Sequence, residues 1–111
     1  MIYTSYYRKS GNHPRAVSIA GKAPRWYRGK EYKVLAPKYW FFKKYKEDGN
    51  KEFYTERYYA EVLDKLDPSK VLEDIGEDAI LICWEEPGKF CHRHLVARWL
   101  REKLDIEVEE L

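Results

Sequence analysis

The sequence predicts an α/β domain of three layers, in which a small, mainly parallel sheet is flanked by helices. Three observations carry that reading. Strand-like and helix-like segments alternate along the chain, which does not suit a helical bundle. Ala79 to Trp84 (AILICW) is a continuous apolar run of the kind found in a central strand covered on both faces. The 111 residues suffice for one hydrophobic core and not for two, so residues 1–111 are expected to form a single domain.

The elements follow in order. Ile2 to Tyr7 is β-rich and reads as the first strand. The turn-forming stretch RKSGNHPR leads to a short apolar run, Ala16 to Ala20, suited to a buried strand. Parallel neighbours normally need a crossover of about a dozen residues or more, so this pair is either unusually tightly connected or antiparallel, with parallel preferred. Gly21 to Pro37 shows no clean period and reads as a long loop of the kind that tends to be functional, with room for a short strand or helical turn. Pro37 opens a helix with Trp40, Phe41 and Tyr45 as its apolar stripe, and Gly49 stops it. Tyr54, Tyr58, Val62 and Leu66 recur every four residues, predicting a helix over about Glu52 to Leu66. Asp67 followed by Pro68 starts a third, short helix that Gly76 ends. The last helix covers about Cys91 to Leu104. Ile106 and Val108 then suggest a short edge strand or tail.

Composition narrows the function classes. No run approaches the roughly 18 apolar residues of a membrane span, and MIYTSYY lacks an apolar signal core, so no membrane partner and a cytoplasmic location are expected. Two cysteines in that setting are expected as free thiols. The many Lys, Glu and Tyr residues with a single Met resemble thermophile usage, which keeps a Cys83–Cys91 bond open as the alternative. Residues 1–52 hold 13 Lys and Arg against 4 acids, and residues 53–111 hold 8 against 15. Unless folding mixes the halves, one side of the molecule is basic and would attract phosphate.

Ile80 to Trp99 (ILICWEEPGKFCHRHLVARW) holds the candidate catalytic residues Cys83, Glu85, Cys91, His92 and Arg93. A strand hands over to a helix there, where free backbone N–H groups and the helix dipole favour an anion. The apolar positions Leu95, Val96, Trp99 and Leu100 place His92 on the inward face, with Arg93 able to reach the same space and His94 turned towards solvent with Arg98 and Arg101. Cys91 reads either as a thiolate activated by the helix end and its neighbours or as a small buried hydrophobe. Cys83 reads more readily as core. One of Glu85 and Glu86 can serve as an acid or base, or simply pair with Arg93 or Lys89. The alternative role for Arg93 is to hold the turn by bonding its carbonyls. Cys83, Cys91, His92, His94 and His13 have no familiar ligand spacing, so no metal and no cofactor are expected.

A second constellation mixes positive charge with flat rings: Lys22, Arg25, Trp26, Tyr27 and Arg28, with Arg8, Lys9, Arg15, Lys30, Tyr32 and Lys33 around them. Phosphate pairing plus stacking is how single-stranded nucleic acid or a nucleotide is held. The same rings also serve as ordinary loop anchors.

The chain resembles the family numbered 488 among the domains of unknown function, in the subgroup with a Cys-Glu and Cys-His-Arg block. The matching residues are IYTSY at the start, the S-x-x-G-K-x-P-x-W-Y-x-G stretch from Ser18 to Gly29, YKVLAP from Tyr32 to Pro37, Tyr54 and Tyr58, and the LICWEEPGKFCHRHLVARWL block. The resemblance implies a three-layer α/β fold with a pocket built from Cys83, Glu85, Pro87, Cys91, His92 and Arg93. Longer members carry a helix between the first two strands, whereas Lys9 to Arg15 is too short for one. A strand-ending Cys followed by a loop and Arg93 is also similar to the cysteine phosphatases, but nine residues separate Cys83 from Arg93 here and five do there.

Three functional readings follow. The first is a nucleic-acid- or nucleotide-directed domain with its phosphate held by the Gly21 to Pro37 loop, its base stacked on Trp26 and Tyr27, and a Cys/His/Arg centre. The second is a thiol-dependent enzyme acting on a small phosphorylated or acyl substrate. The third is a non-catalytic interaction module whose Cys-His-Arg turn only locks the fold, which predicts a mutually bonded cluster with no cleft above it.

Overall fold

A computed structural model describes residues 1–111. Five strands form one all-parallel sheet: β1 (Ile2–Tyr6), β2 (Ala16–Ser18), β3 (Lys30–Glu31), β4 (Ile80–Cys83) and β5 (Val108–Glu110), in the order β3-β2-β4-β1-β5. Five helices accompany them: α1 (Tyr7–Ser10), α2 (Tyr39–Asp48), α3 (Lys51–Glu61), α4 (Pro68–Ile75) and α5 (His92–Leu104). The three-layer α/β architecture expected from the sequence is present.

Strand alternation sorts the core. Ile2, Val17, Ile19, Leu81 and Val108 join one large cluster with Phe41, Tyr58, Leu63, Val71, Trp99 and Leu100 from the helical layer. Ala16, Ile80 and Ile82 point the other way, under Tyr7 and Tyr27. That second face is covered thinly, by the single turn of α1 and the loop beyond β2. Cys83 follows Leu81 at the spacing of two that puts it on the helix side.

β1 and β2 are parallel but not neighbours, because β4 lies between them. The short connection therefore spans the width of one intervening strand, and its single helical turn, α1, starts at Tyr7, where the first strand was expected to continue, and takes only Lys9 and Ser10 from the Lys9–Arg15 stretch. Other differences are local. The Gly21–Pro37 segment contains β3 and a 3-10 turn at Lys33–Leu35. The helix expected to run to Leu66 stops at Glu61 and tightens into a 3-10 turn, Leu63–Lys65, which turns the adjacent Val62 and Leu63 both inward. The start signals act through their side chains: Asn50 accepts from the Phe53 N–H and Asp67 from the Ser69 N–H, satisfying helix-end donors. Ile106 and Val108 lead into a true edge strand, β5, which pairs with β1. No helix is long and apolar enough to cross a membrane.

Candidate functional site

Parallel strands bring their carboxyl ends to one side of a sheet, and the structure has a cavity there, as the topology of open α/β sheets favours. The register sets Tyr6 beside Cys83 and Ser18 beside Ile82, so the segments following β2 and β4 emerge together. Ala20, Gly21 and Lys22 line one side of a cavity of about 520 Å³, and Cys83, Trp84 and Glu85 line another. Pro37, Tyr39, Phe42, Tyr45 and Lys46 wall it from α2 and its entry, with Tyr54 and Phe90 beside them. Cys91 and His92 close it at the head of α5.

Cys83 and Cys91 are joined as a disulfide. This corrects the expectation of two free thiols. The turn between β4 and α5 folds back so that the helix N-cap, Cys91, stands over the helix-side residue at the end of β4. Cys91 in this form has no thiol for the helix terminus to ionise, and its side chain makes no capping bond.

His92 is buried, as its place on the inward helix face predicts. Its Nε2 lies 2.7 Å from the Ile19 carbonyl oxygen. A carbonyl only accepts, so Nε2 carries the proton and Nδ1 presents a lone pair, 3.7 Å from Cys91 Sγ. Burial, with the nearby Arg93 charge adding to it, pulls the imidazole down to about 4. It is neutral at pH 7. His94, expected in solvent, is half-buried, while Arg98 and Arg101 are exposed.

Arg93 is fully buried and does not line the cavity. Its Nε and Nη2 donate to the two carboxylate oxygens of Glu110 at 3.1 and 2.7 Å, a fork-to-fork pair. Its Nη1 donates to the Glu85 carbonyl at 2.6 Å and approaches Cys83 Sγ at 3.1 Å. Arg93 thus stands behind the sulfur pair instead of facing a ligand, and it also bonds a turn carbonyl. Burial would raise the Glu110 carboxyl, but bonds from Arg93 and Thr4 outweigh that and hold it below the usual range. The Thr4 hydroxyl donates to Glu110 at 2.5 Å.

Glu85 reaches the cavity rim, where its carboxylate lies 3.6 Å from Lys46 Nζ. Both side chains are well exposed, so the pair contributes little to stability. It also joins charges from the basic and acidic halves of the chain.

The basic-aromatic loop divides. Lys22 lines the cavity, and its carbonyl accepts from Trp84 Nε1 at 2.8 Å. Arg25, Trp26, Tyr27 and Arg28 do not line it. Tyr27 is buried against the second face of the sheet, its hydroxyl donating to the carbonyls of Ala16 and Lys30 at 3.2 and 2.7 Å. Trp26 packs edge-on against Tyr7 and Tyr27. Arg28 Nη1 donates to the carbonyls of Arg25 and Tyr27 within its own loop. The rings around the cavity are instead Tyr39, Phe42, Tyr45, Trp84 and Phe90, most of which the sequence reading left aside. A signal was available, since α2 carries aromatic residues at positions 39, 40, 41, 42 and 45, nearly all round its circumference. A helix of that kind serves two surfaces. Phe41 enters the core while Tyr39 and Phe42 stay exposed, and Trp40, assigned to the inner stripe, lies outside with its indole N–H donated to Glu61.

Cys83 Sγ, Cys91 Sγ and one His92 nitrogen lie within 4.8 Å of one another. Two sulfurs and an imidazole are a soft donor set, but thiolates ligate and a disulfide does not, so the set is a metal candidate only after reduction.

No curated protein and no solved structure matches the chain. A family model described as the active DUF488-N3 subclade matches residues 2–104, which takes in every wall of the cavity and leaves β5 outside. On that match, the chain belongs to the DUF488 family of domains of unknown function.

Proposed function

We propose that the domain binds a flat heteroaromatic ligand of nucleotide size in the cavity above Cys83, Cys91 and His92. The observation that carries the reading is the lining. A space of about 520 Å³ falls within the range of small-molecule sites, and it is walled mainly by rings with a few polar groups at its edges. Rings stack on nucleobases with little regard to base identity. Lys22 and Lys46 are the cations that line the space, and they offer places for a phosphate. The role first assigned to Trp26, Tyr27, Arg25 and Arg28 passes in this reading to Trp84, the α2 rings and the two lysines. Membership of a subclade described as active agrees with chemistry at the sulfur and imidazole end.

The reading is tested by titrating the protein with adenosine and uridine monophosphates and with short single strands across a salt series, following tryptophan fluorescence. Saturable quenching that weakens with salt for the phosphorylated ligands is expected, with loss of the signal in Trp84→Phe. Absence of binding at low salt removes the proposal.

One observation favours thiol chemistry as a second reading: both cysteines line the cavity. In the disulfide form a free thiolate for acyl or phosphoryl transfer is lacking, so such a reaction needs prior reduction. The interaction-module reading anticipates the bonded Arg93 cluster, but it anticipates no cleft above it.

A further inference from the structure

We propose that the Cys83–Cys91 disulfide is a reversible redox couple that exchanges with a small thiol at Cys91, while Cys83 leaves as a thiolate held by Arg93. The inference goes beyond ligand capture and does not depend on what fills the cavity.

Access comes first. Disulfide exchange requires a thiolate to approach one sulfur; Cys83 and Cys91 both line the cavity, and Cys91, 7% exposed against 1% for Cys83, is the more open of the two. A bond sealed in the core would be reduced only on unfolding.

The two sulfurs then differ in surroundings. Cys83 Sγ lies 3.1 Å from Arg93 Nη1, a donor on a permanently charged group. Cys91 Sγ has the neutral imidazole of His92 at 3.7 Å. Exchange is faster when the departing sulfur is the better-stabilised anion, so attack at Cys91 is the favoured direction. Arg93 is already in place for this. Glu110 grips its Nε and Nη2 and the Glu85 carbonyl fixes Nη1, so no rearrangement is needed as charge develops on Cys83.

The step balances. A thiolate RS⁻ forms a bond to Cys91 Sγ, the Cys83–Cys91 bond breaks, and its electron pair stays on Cys83 Sγ. A second thiolate R′S⁻ attacks the R sulfur of the mixed disulfide, releasing RSSR′ and the Cys91 thiolate. The two external thiols lose two electrons, and the couple gains them. The protons given up by the external thiols are available to the two cysteines.

The test uses the native disulfide protein with no added nucleotide, so failure of the ligand reading leaves it intact. The protein is exposed to glutathione in the presence of a metal chelator, quenched in acid, alkylated and digested, and the adducts are located by mass. Glutathione on Cys91 with alkylated Cys83 is expected to exceed the reverse adduct by about tenfold, the factor expected from one charge-assisted hydrogen bond. Arg93→Lys, with folding checked by circular dichroism, is expected to shrink that bias and lower the reduced fraction at a fixed glutathione ratio. The wild-type result stands alone if that variant fails to fold. Equal attack on both sulfurs, preference for Cys83, or reduction no faster than global unfolding overturns the proposal.

Discussion

Two aromatic clusters flank the sheet, built from similar residues and put to opposite ends. On the thinly covered face, Tyr7, Trp26 and Tyr27 meet one another edge-on at 5.5 to 6.5 Å, and the hydroxyl of Tyr27 is bound to backbone carbonyls. The packing is so close that a Cβ on Gly11 would stand 2.4 Å from the Trp26 ring, and one on Gly29 would stand 2.4 Å from the Tyr27 hydroxyl. On the helix side, Tyr39 and Phe42 stand around open space with a third or more of their surface exposed, while Trp84, which also lines the cavity, packs edge-on against Tyr7 at 5.2 Å and so links the two clusters. Charge interleaved with rings therefore does not distinguish a ligand site from a loop anchor. What distinguishes them is whether the rings satisfy one another or face a void.

The largest expected effect falls on the closed cluster. Tyr27→Ala removes a buried ring and two hydrogen bonds, and is expected to cost about 3 to 4 kcal/mol in urea unfolding while leaving ligand affinity in the folded protein nearly unchanged. A loss of affinity without a loss of stability would reverse the roles assigned to the two clusters.

Next comes the acid response of the open side, measured on the disulfide form with a chelator present. The imidazole of His92 takes up a proton near 6.5 when unfolded and near 4 when folded. Below 6.5 the unfolded chain binds the extra proton, so stability present above that pH falls as pH drops towards 4, by up to about 3 kcal/mol. Denaturation midpoints of wild type and His92→Gln across that window should draw together as pH falls. Parallel curves would mean that the imidazole is not buried in its neutral form.

Smaller effects are expected from the open cluster. Trp84→Ala should weaken the nucleotide affinity by about tenfold, in line with a stacking contact of 1 to 3 kcal/mol, and should also lower stability by about 1 to 2 kcal/mol, because the half-exposed ring packs edge-on against Tyr7 and its N–H is bonded to the Lys22 carbonyl. Lys22→Ala or Lys46→Ala should lower the salt dependence of binding by about one unit of slope each. Equal losses for phosphorylated and unphosphorylated ligands would remove the phosphate role of these lysines.

The alternation of elements, the central strand and the caps at Asn50 and Asp67 were legible because each is a local matter of periodicity or of one side chain meeting a nearby N–H. His92 on the inner face followed from helix spacing, and the clustering of Cys83, Glu85, Cys91 and His92 followed from the strand-to-helix junction. Three features were not legible, for a common reason. The insertion of β4 between β1 and β2, the grip of Glu110 on Arg93, and the use of α2 rings as cavity wall all pair residues distant along the chain. No local pattern encodes them. The Cys83–Cys91 bond lay in between, since spacing allowed it but only the fold of the turn brings the sulfurs together.

The last strand adds a constraint on the chemistry. β5 adds one edge to the sheet, yet its Glu110 binds two of the three guanidinium nitrogens of Arg93. Deleting residues 109–111 would leave the buried Val108 in the core and still unmoor the charge behind Cys83, so damage there should be read out at the sulfurs before it registers in the core.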